Sequence, residues 1–113
     1  MARFIYADNA ATTRLLPQVL DKMLPFFTEE YGNPSSLYSF GQTARLAVDE
    51  ARQTVAGCLG CRPEEVFFTS GGSEADNWAL KMVAESLEKK GKKHIVSTVF
   101  EHHAILHALN ALE

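Results

Sequence analysis

Apolar residues recur at gaps of three or four in four stretches of the chain, a spacing that predicts four amphipathic helices. The first helix is expected to begin at Pro17, where a missing N–H is harmless, and to end before Gly32. The second should run from about Ser39 to Leu59 and be capped by Gly60. Its expected buried stripe contains several small residues, which indicates close packing: Phe40, Ala44, Ala47, Val48, Ala51, Val55 and Leu59.

Two short apolar runs alternate with the later helices and predict buried strands, at residues 66–69 and 94–98. The third helix should open from the turn at residues 70–73, and the fourth from about Glu101. The expected buried face of the third helix consists of Ala75, Trp78, Ala79, Met82, Val83 and Leu87. Helices alternating with strands favour an α/β fold built on a parallel sheet.

The sequence ends at Leu112-Glu113, inside or at the edge of a periodic helical run. No glycine, asparagine or proline marks an end of the helix there. Two strands also make a poor parallel sheet, because such a sheet needs cover on both faces. We therefore expect the 113 residues to be a truncated part of a larger α/β domain.

Composition narrows the class of protein. With 46% hydrophobic and 22% charged residues, the chain suits a globular unit, and its net charge of -3 gives no reason to expect nucleic acid or an anionic membrane as partner. The lysine-rich residues 89–93 suit the negative end of a helix dipole. The N-terminus does not resemble a signal peptide, and no apolar run approaches about 20 residues. Two cysteines make no disulfide framework, so a cytoplasmic location is expected.

The strongest local signal for chemistry is the Gly71-Gly72-Ser73 turn between a predicted strand and a predicted helix. Glycines let the backbone approach a ligand, and the unpaired amides of a first helical turn favour a phosphate. Ser73 could add a hydroxyl to that site. It could equally be an N-cap, with Asp76 completing a capping-box variant, and the two roles are compatible.

Four motifs then occur in one order: Tyr6-x-Asp8-Asn9-Ala10-Ala11-Thr12-Thr13, Gly32-Asn33-Pro34-Ser35-Ser36, Thr69-Ser70-Gly71-Gly72-Ser73-Glu74-Ala75-Asp76-Asn77 and Glu101-His102-His103-Ala104. In this order they resemble the start of NifS/IscS-type cysteine desulfurases, within the class-V aminotransferase group of pyridoxal-phosphate (PLP) enzymes. The resemblance covers essentially the whole chain. It implies that residues 14–113 form the first part of the large PLP-binding domain of fold type I, with an incomplete parallel or mixed sheet and flanking helices. Residues 1–13 would then accompany the small domain.

The resemblance also implies roles for three residues. Gly72 and Ser73 fall at the PLP phosphate, where many relatives have Ala-Thr, and His102 would stack on the cofactor ring and could move protons. The helical pattern independently places His102 on the face of Ile105, Leu106 and Leu109, and we expect it to point inward, into the same cleft as the Gly71–Ser73 turn. A histidine buried only for packing remains the alternative from the residues alone.

The activity implied by the resemblance is conversion of L-cysteine to L-alanine, with sulfur passing as an enzyme persulfide to acceptor proteins of Fe–S cluster or thio-cofactor assembly. The family works as a homodimer. Its Schiff-base lysine, the aspartate on the pyridine nitrogen and the persulfide cysteine fall beyond residue 113, so the chain alone is expected to be inactive. A selenocysteine lyase, another class-V aminotransferase and a non-catalytic interaction fragment remain alternatives.

Two further pairs of side chains have the spacing of metal or redox motifs. His103 and His107 would share a helix face, as metal ligands can, but no third ligand is evident and no metal is expected. Cys58 and Cys61 have thiol-motif spacing without a second cysteine pair. Structural or incidental thiols are the favoured interpretation for both cysteines.

Overall fold

The computed structural model describes residues 3–113. Their helices are α1 (Pro17–Thr28), α2 (Ser39–Leu59), α3 (Gly72–Glu88) and α4 (His103–Asn110), with a 3-10 turn at Pro63–Glu65. The chain divides into two compact units, and the boundary falls between Val66 and Phe67. No helix within residues 3–113 combines the length and apolar character required to cross a bilayer.

The helix starts and ends of the first unit confirm the sequence predictions. Pro17 occupies the first turn of α1, and the residue before it, Leu16, has the extended backbone of an N-cap. Helix α2 has the predicted bounds and ends at Gly60, whose φ of 69° lies in the left-handed region. The amides of Gly60 and Cys61 both donate to the Ala56 carbonyl, which closes the end of the helix.

The buried face of α2 differs from the predicted stripe. Ala44 is buried as expected, but Gly41 and Ala56 are the other buried positions, and Leu59 is 71% exposed. The neighbours within this unit explain the shift. The 3-10 turn packs against α2, and the Arg52 guanidinium donates a hydrogen bond to the Val66 carbonyl. Helical periodicity identifies an apolar stripe, whereas the packed neighbour decides which part of it is covered.

The loop before α2 is ordered by its own polar groups. The Asn33 side-chain oxygen accepts from the Ser35 amide at 2.9 Å, and its carbonyl accepts from the Ser36 amide at 3.0 Å. The Tyr31 ring meets the Phe40 ring edge to face, with centroids 5.1 Å apart. These contacts form a turn at residues 32–36, for which the cluster of glycine, asparagine, proline and serine is suited.

In the second unit α3 packs against α4. Leu87 is half-buried as predicted, but most of the expected inner face of α3 is exposed, including Trp78 and Met82. The other half-buried positions lie elsewhere on the helix, at Asp76, Asn77, Leu80 and Ala84. Helical spacing predicted this apolar face, and no sheet covers it within the described residues.

The two predicted strands are the main correction to the expected α/β fold. Neither residues 66–69 nor residues 94–98 belong to a strand, and residues 3–113 contain no β-ladder. A strand exists only as part of a ladder with a neighbour about 4.8 Å away, and neither segment joins a β-ladder within residues 3–113. The predicted small-domain segment, residues 1–13, has no regular secondary structure over residues 3–13, and residues 1 and 2 lie outside the described residues. Its domain assignment stays a prediction.

Candidate functional site

The candidate site is built on the first turn of α3. Gly71 precedes the helix with an extended backbone, and the first backbone hydrogen bond of the helix runs from the Ala75 amide to the Gly71 carbonyl at 3.2 Å. The amides of Gly72, Ser73 and Glu74 consequently have no partner inside the helix. No other hydrogen bond from these three amides occurs within residues 3–113. They form a set of donors at the positive end of a helix dipole.

The two glycines leave room in front of these donors. Apart from adjacent residues and the backbone of α3 itself, a Cβ built on Gly71 or on Gly72 would meet no atom within 4 Å, and Ser73 is exposed. The donor set therefore consists of three amides and the Ser73 hydroxyl beside open space. Such a set suits a phosphate, because several N–H groups and a hydroxyl can each donate to an anionic oxygen.

The N-cap interpretation of Ser73 was wrong. Gly71 is the N-cap residue, so Ser73 lies inside the first turn, and Asp76 takes no part in a capping box. The Ser73 carbonyl accepts from the Asn77 side-chain amide at 2.9 Å. No hydrogen bond of the Ser73 hydroxyl occurs within the described part of the chain, which leaves that group available to a ligand.

Glu74 is a residue of this turn that the sequence interpretation missed. Its Oε2 accepts from both the amide and the hydroxyl of Ser70, each at 2.7 Å. Hydrogen bonds from the Ser70 backbone and then from its side chain lower the pKa of the Glu74 carboxyl. The available signal was an acid at the third helical position after Gly71, which is the acidic position of a capping box.

His102 has a different role in the structure from the predicted inward one. It is the N-cap of α4, with φ -59° and ψ 146°, and its Nδ1 accepts from the Ala104 amide at 3.1 Å. Because that backbone is extended, the side chain does not continue the helical stripe, and His102 is exposed. Ile105, Leu106 and Leu109 are half-buried, consistent with the predicted face of the helix. The shared cleft of His102 and residues 71–73 stays a prediction.

The hydrogen bond from the Ala104 amide to His102 also determines which ring nitrogen carries the proton. Since Nδ1 accepts from an amide, the neutral imidazole carries its proton on Nε2. Nε2 and the exposed ring face are then the parts of the side chain left for a ligand. Nδ1 is thus held by the backbone, and the neutral ring presents Nε2–H as a hydrogen-bond donor.

The remaining histidines and the cysteines form no further site within the described residues. The rings of His103 and His107 meet edge to face with centroids 5.7 Å apart, consistent with their predicted common helix face. No group of three or more histidine, cysteine or acidic side chains in residues 3–113 could hold a metal ion. Cys58 is exposed and Cys61 half-buried, and both are free thiols.

Comparison with known proteins places the chain in a family. The family model of the class-V aminotransferases matches residues 5–113. The chain therefore belongs to the class-V aminotransferase family, and the resemblance found in its four motifs is confirmed.

Its curated relatives include the cysteine desulfurase IscS of Clostridium botulinum (strain Kyoto / Type A2), which is 56% identical over 113 residues. The cysteine desulfurase IscS of Methanosarcina thermophila is 48% identical over 109 residues, or 96% of this chain. The chain spans 28% of the length of the first relative and 27% of the second.

Solved structures of two proteins are similar in fold. A NifS-like protein superposes with a TM-score of 0.86 at 47% identity, over 93% of this chain and 29% of that protein. DndA from Streptomyces lividans superposes with a TM-score of 0.78 at 39% identity, over 96% of this chain and 30% of DndA. The backbone described above is thus a recurring arrangement among these proteins.

Proposed function

We propose that residues 14–113 form the first part of the large PLP-binding domain of a fold type I cysteine desulfurase. The names and identities of the IscS relatives support the activity, and the NifS-like structure supports the fold. The observation that carries the proposal is the donor set at the start of α3. Its unpaired amides and free hydroxyl suit the phosphate of the cofactor that the family implies.

Gly72 and Ser73 bind the PLP phosphate in this proposal. Their amides and the Ser73 hydroxyl donate to its oxygens, while the absence of a Cβ on Gly72 lets the backbone come close. His102 packs its ring on the pyridine ring and presents Nε2–H as a hydrogen-bond donor. Proton transfer by this ring would require the bond from the Ala104 amide to Nδ1 to open. When bound, PLP supplies an electron sink for chemistry at the substrate α-carbon.

The proposed reaction of the whole protein converts L-cysteine and an enzyme thiol into L-alanine and an enzyme persulfide. A cysteine thiolate attacks the substrate sulfur and retains it, and acceptor proteins then take the sulfur. From the family we also propose that the whole protein is a homodimer and that it is located in the cytoplasm. We propose cysteine and not selenocysteine as the substrate, because the curated relatives are named cysteine desulfurases.

The test uses residues 1–113 joined to the remaining C-terminal part of the Clostridium botulinum relative. Ser73→Ala should weaken PLP retention about tenfold, as expected for loss of a hydrogen bond to a charged group. Ser86→Ala, an exposed serine on the same helix, should leave retention unchanged. Gly72→Val should also weaken retention, because its side chain would fill the space in front of the amides. Unchanged PLP retention in both Ser73→Ala and Gly72→Val would contradict the proposed phosphate site.

A further inference from the structure

The turn before α3 is held by side-chain hydrogen bonds on either side of the two glycines. The Thr69 hydroxyl donates to the Gly71 carbonyl at 3.1 Å, and the Asn77 amide donates to the Ser73 carbonyl at 2.9 Å. Between these two bonds, Glu74 Oε2 receives both donors of Ser70. Consecutive glycines have the largest conformational freedom of any residue pair, so a turn that contains them needs such restraints to keep one shape.

The Glu74 bonds are the strongest of these restraints. Both distances are 2.7 Å and the acceptor is a carboxylate, which makes the hydrogen bonds charge-assisted. They also engage the Ser70 amide and hydroxyl, which leaves Ser73 as the serine with a free hydroxyl in this turn. Glu74 thus influences both the shape of the turn and the choice of hydroxyl that can reach a ligand.

The charge of Glu74 acts against anion binding. A carboxylate in the first turn of α3 lies at the same helix end as the proposed phosphate and repels it. Its acceptor oxygen, by contrast, orders the backbone that carries the donors. A neutral side chain that still accepts hydrogen bonds should therefore keep the benefit and remove the repulsion.

We propose that Glu74 is a positioning residue that holds Ser70 so that the amides of Gly72 and Ser73 stay aligned on a phosphate. This inference rests on the proposed phosphate site, but it concerns a residue that touches the turn instead of the ligand. It predicts different effects for Glu74→Gln, which keeps an acceptor oxygen, and Glu74→Ala, which removes it.

The experiment measures two quantities by NMR on the 113-residue chain: the hydrogen-exchange rate of the Ser70 amide and the affinity for inorganic phosphate and PLP reported by the Gly72 and Ser73 amides. Glu74→Ala should speed Ser70 exchange and weaken phosphate binding at least about fivefold. Glu74→Gln should keep Ser70 exchange within about twofold of the parent chain and bind phosphate at least as tightly. The matched control is Glu85→Ala, which removes an exposed carboxylate of α3 that pairs with Lys89 and should change neither quantity.

The outcomes distinguish the proposed phosphate site at Gly72 and Ser73 from the proposed positioning role of Glu74. If neither phosphate nor PLP shifts the Gly72 and Ser73 amides of the parent chain, the proposed phosphate site is wrong. If the parent chain binds phosphate and Glu74→Ala binds it equally well, only the positioning role is wrong. Weak binding by Glu74→Gln despite a protected Ser70 amide would show that an ordered Ser70 does not support phosphate binding, and it would also overturn the positioning role. Circular dichroism of each variant verifies that α3 has formed.

Discussion

Gly41 lies at the start of α2, against the loop that precedes this helix. An added Cβ would come within 2.5 Å of the Asn33 carbonyl oxygen and 2.6 Å of the Ser36 Cβ. Gly41→Ala should therefore lower the free energy of unfolding by about 1–3 kcal/mol, as overpacking usually does. Urea unfolding followed by circular dichroism measures the change.

The control for Gly41 lies on the same helix. A Cβ on Gly57 would meet nothing within 4 Å, so Gly57→Ala should raise the free energy of unfolding by up to about 1 kcal/mol through helix propensity. Equal effects of the two substitutions would show that the close approach at Gly41 is not a feature of the folded chain.

The pKa of the Glu74 carboxyl provides a second residue-scale prediction. It lies below the ordinary 4.5 because of the Ser70 backbone bond first and the Ser70 side-chain bond second. In Ser70→Ala the pKa should rise part of the way back, since the larger cause remains. Carbon-detected NMR titration gives the value, and Glu65, whose pKa is lowered by Arg62, should titrate unchanged. An unaltered Glu74 titration in Ser70→Ala would contradict the hydroxyl bond.

The sign of the pH dependence follows from that lowered pKa. A carboxylate bonded in the folded state favours folding above its unfolded pKa, and the contribution is lost as the pH falls through the folded value. The order of the turn before α3 should thus be complete at neutral pH and decrease only in acid, below about 4.5. Glu74→Gln should remove this dependence.

The candidate site could be predicted from the sequence only in part. Gly72 and Ser73 stand out because a Gly-Gly turn at a helix start has a local chemical meaning. Glu74 was missed because an N-cap at Ser73 would make Glu74 the first helical residue, whereas the true N-cap, Gly71, makes it the third. The side-chain direction of His102 depends on one backbone angle at the start of α4, which an apolar pattern does not encode.

The end of α2 yields a prediction at the scale of the element. Gly60 has a φ of 69°, a conformation that costs a side-chain-bearing residue about 1 kcal/mol or more. Gly60→Ala should destabilise the chain by about that amount, whereas Gly60→Asn should cost less because asparagine tolerates this region. Urea unfolding distinguishes the two. Identical losses for alanine and asparagine would point to a cause other than backbone conformation.

Helix bounds and helix faces differ in how far the sequence determines them. The bounds of α2 follow from signals within a few residues, chiefly its periodic run and Gly60. Its covered face depends on what packs there, and Ala56, outside the predicted stripe, is 1% exposed. Residues 66–69 and 94–98 depend on their surroundings even more. An apolar run of this kind favours a strand, but it forms one only when it joins a β-ladder with a neighbouring strand.

At the scale of the whole chain, few apolar side chains are covered. The buried hydrophobic residues of the described part are Ala44, Ala56, Val66 and Ala108, while aromatic residues such as Phe4 and Phe100 are more than four-fifths exposed. Apolar surface of this extent favours association.

We expect the purified chain to sediment as concentration-dependent oligomers and to bind a hydrophobic dye. The chain joined to the C-terminal part of the Clostridium botulinum relative should bind less dye. A monomer that binds no dye would contradict this expectation.

The final prediction concerns activity. The chain spans 28% of its Clostridium botulinum relative, and its lysines lie on exposed surface, where Lys89 pairs with Glu85 and Lys93 with Glu88. Both cysteines are free thiols, and neither matches the sulfur-accepting cysteine that the resemblance implies. Residues 1–113 should therefore bind PLP weakly, through its phosphate, and form no alanine from L-cysteine. A covalent cofactor link and a sulfur-accepting thiolate are both needed for that reaction.

The assay mixes the purified chain with PLP and L-cysteine and follows alanine by chromatography, with the extended chain as positive control. The extended chain should form alanine, and its Ser73→Ala variant should need more added PLP to reach the same rate. Alanine formed by residues 1–113 alone, from a host without a desulfurase of its own, would contradict the prediction. It would mean that a lysine or cysteine of this chain reaches the cofactor, and the assignment of the chemistry to residues outside these 113 would have to be abandoned.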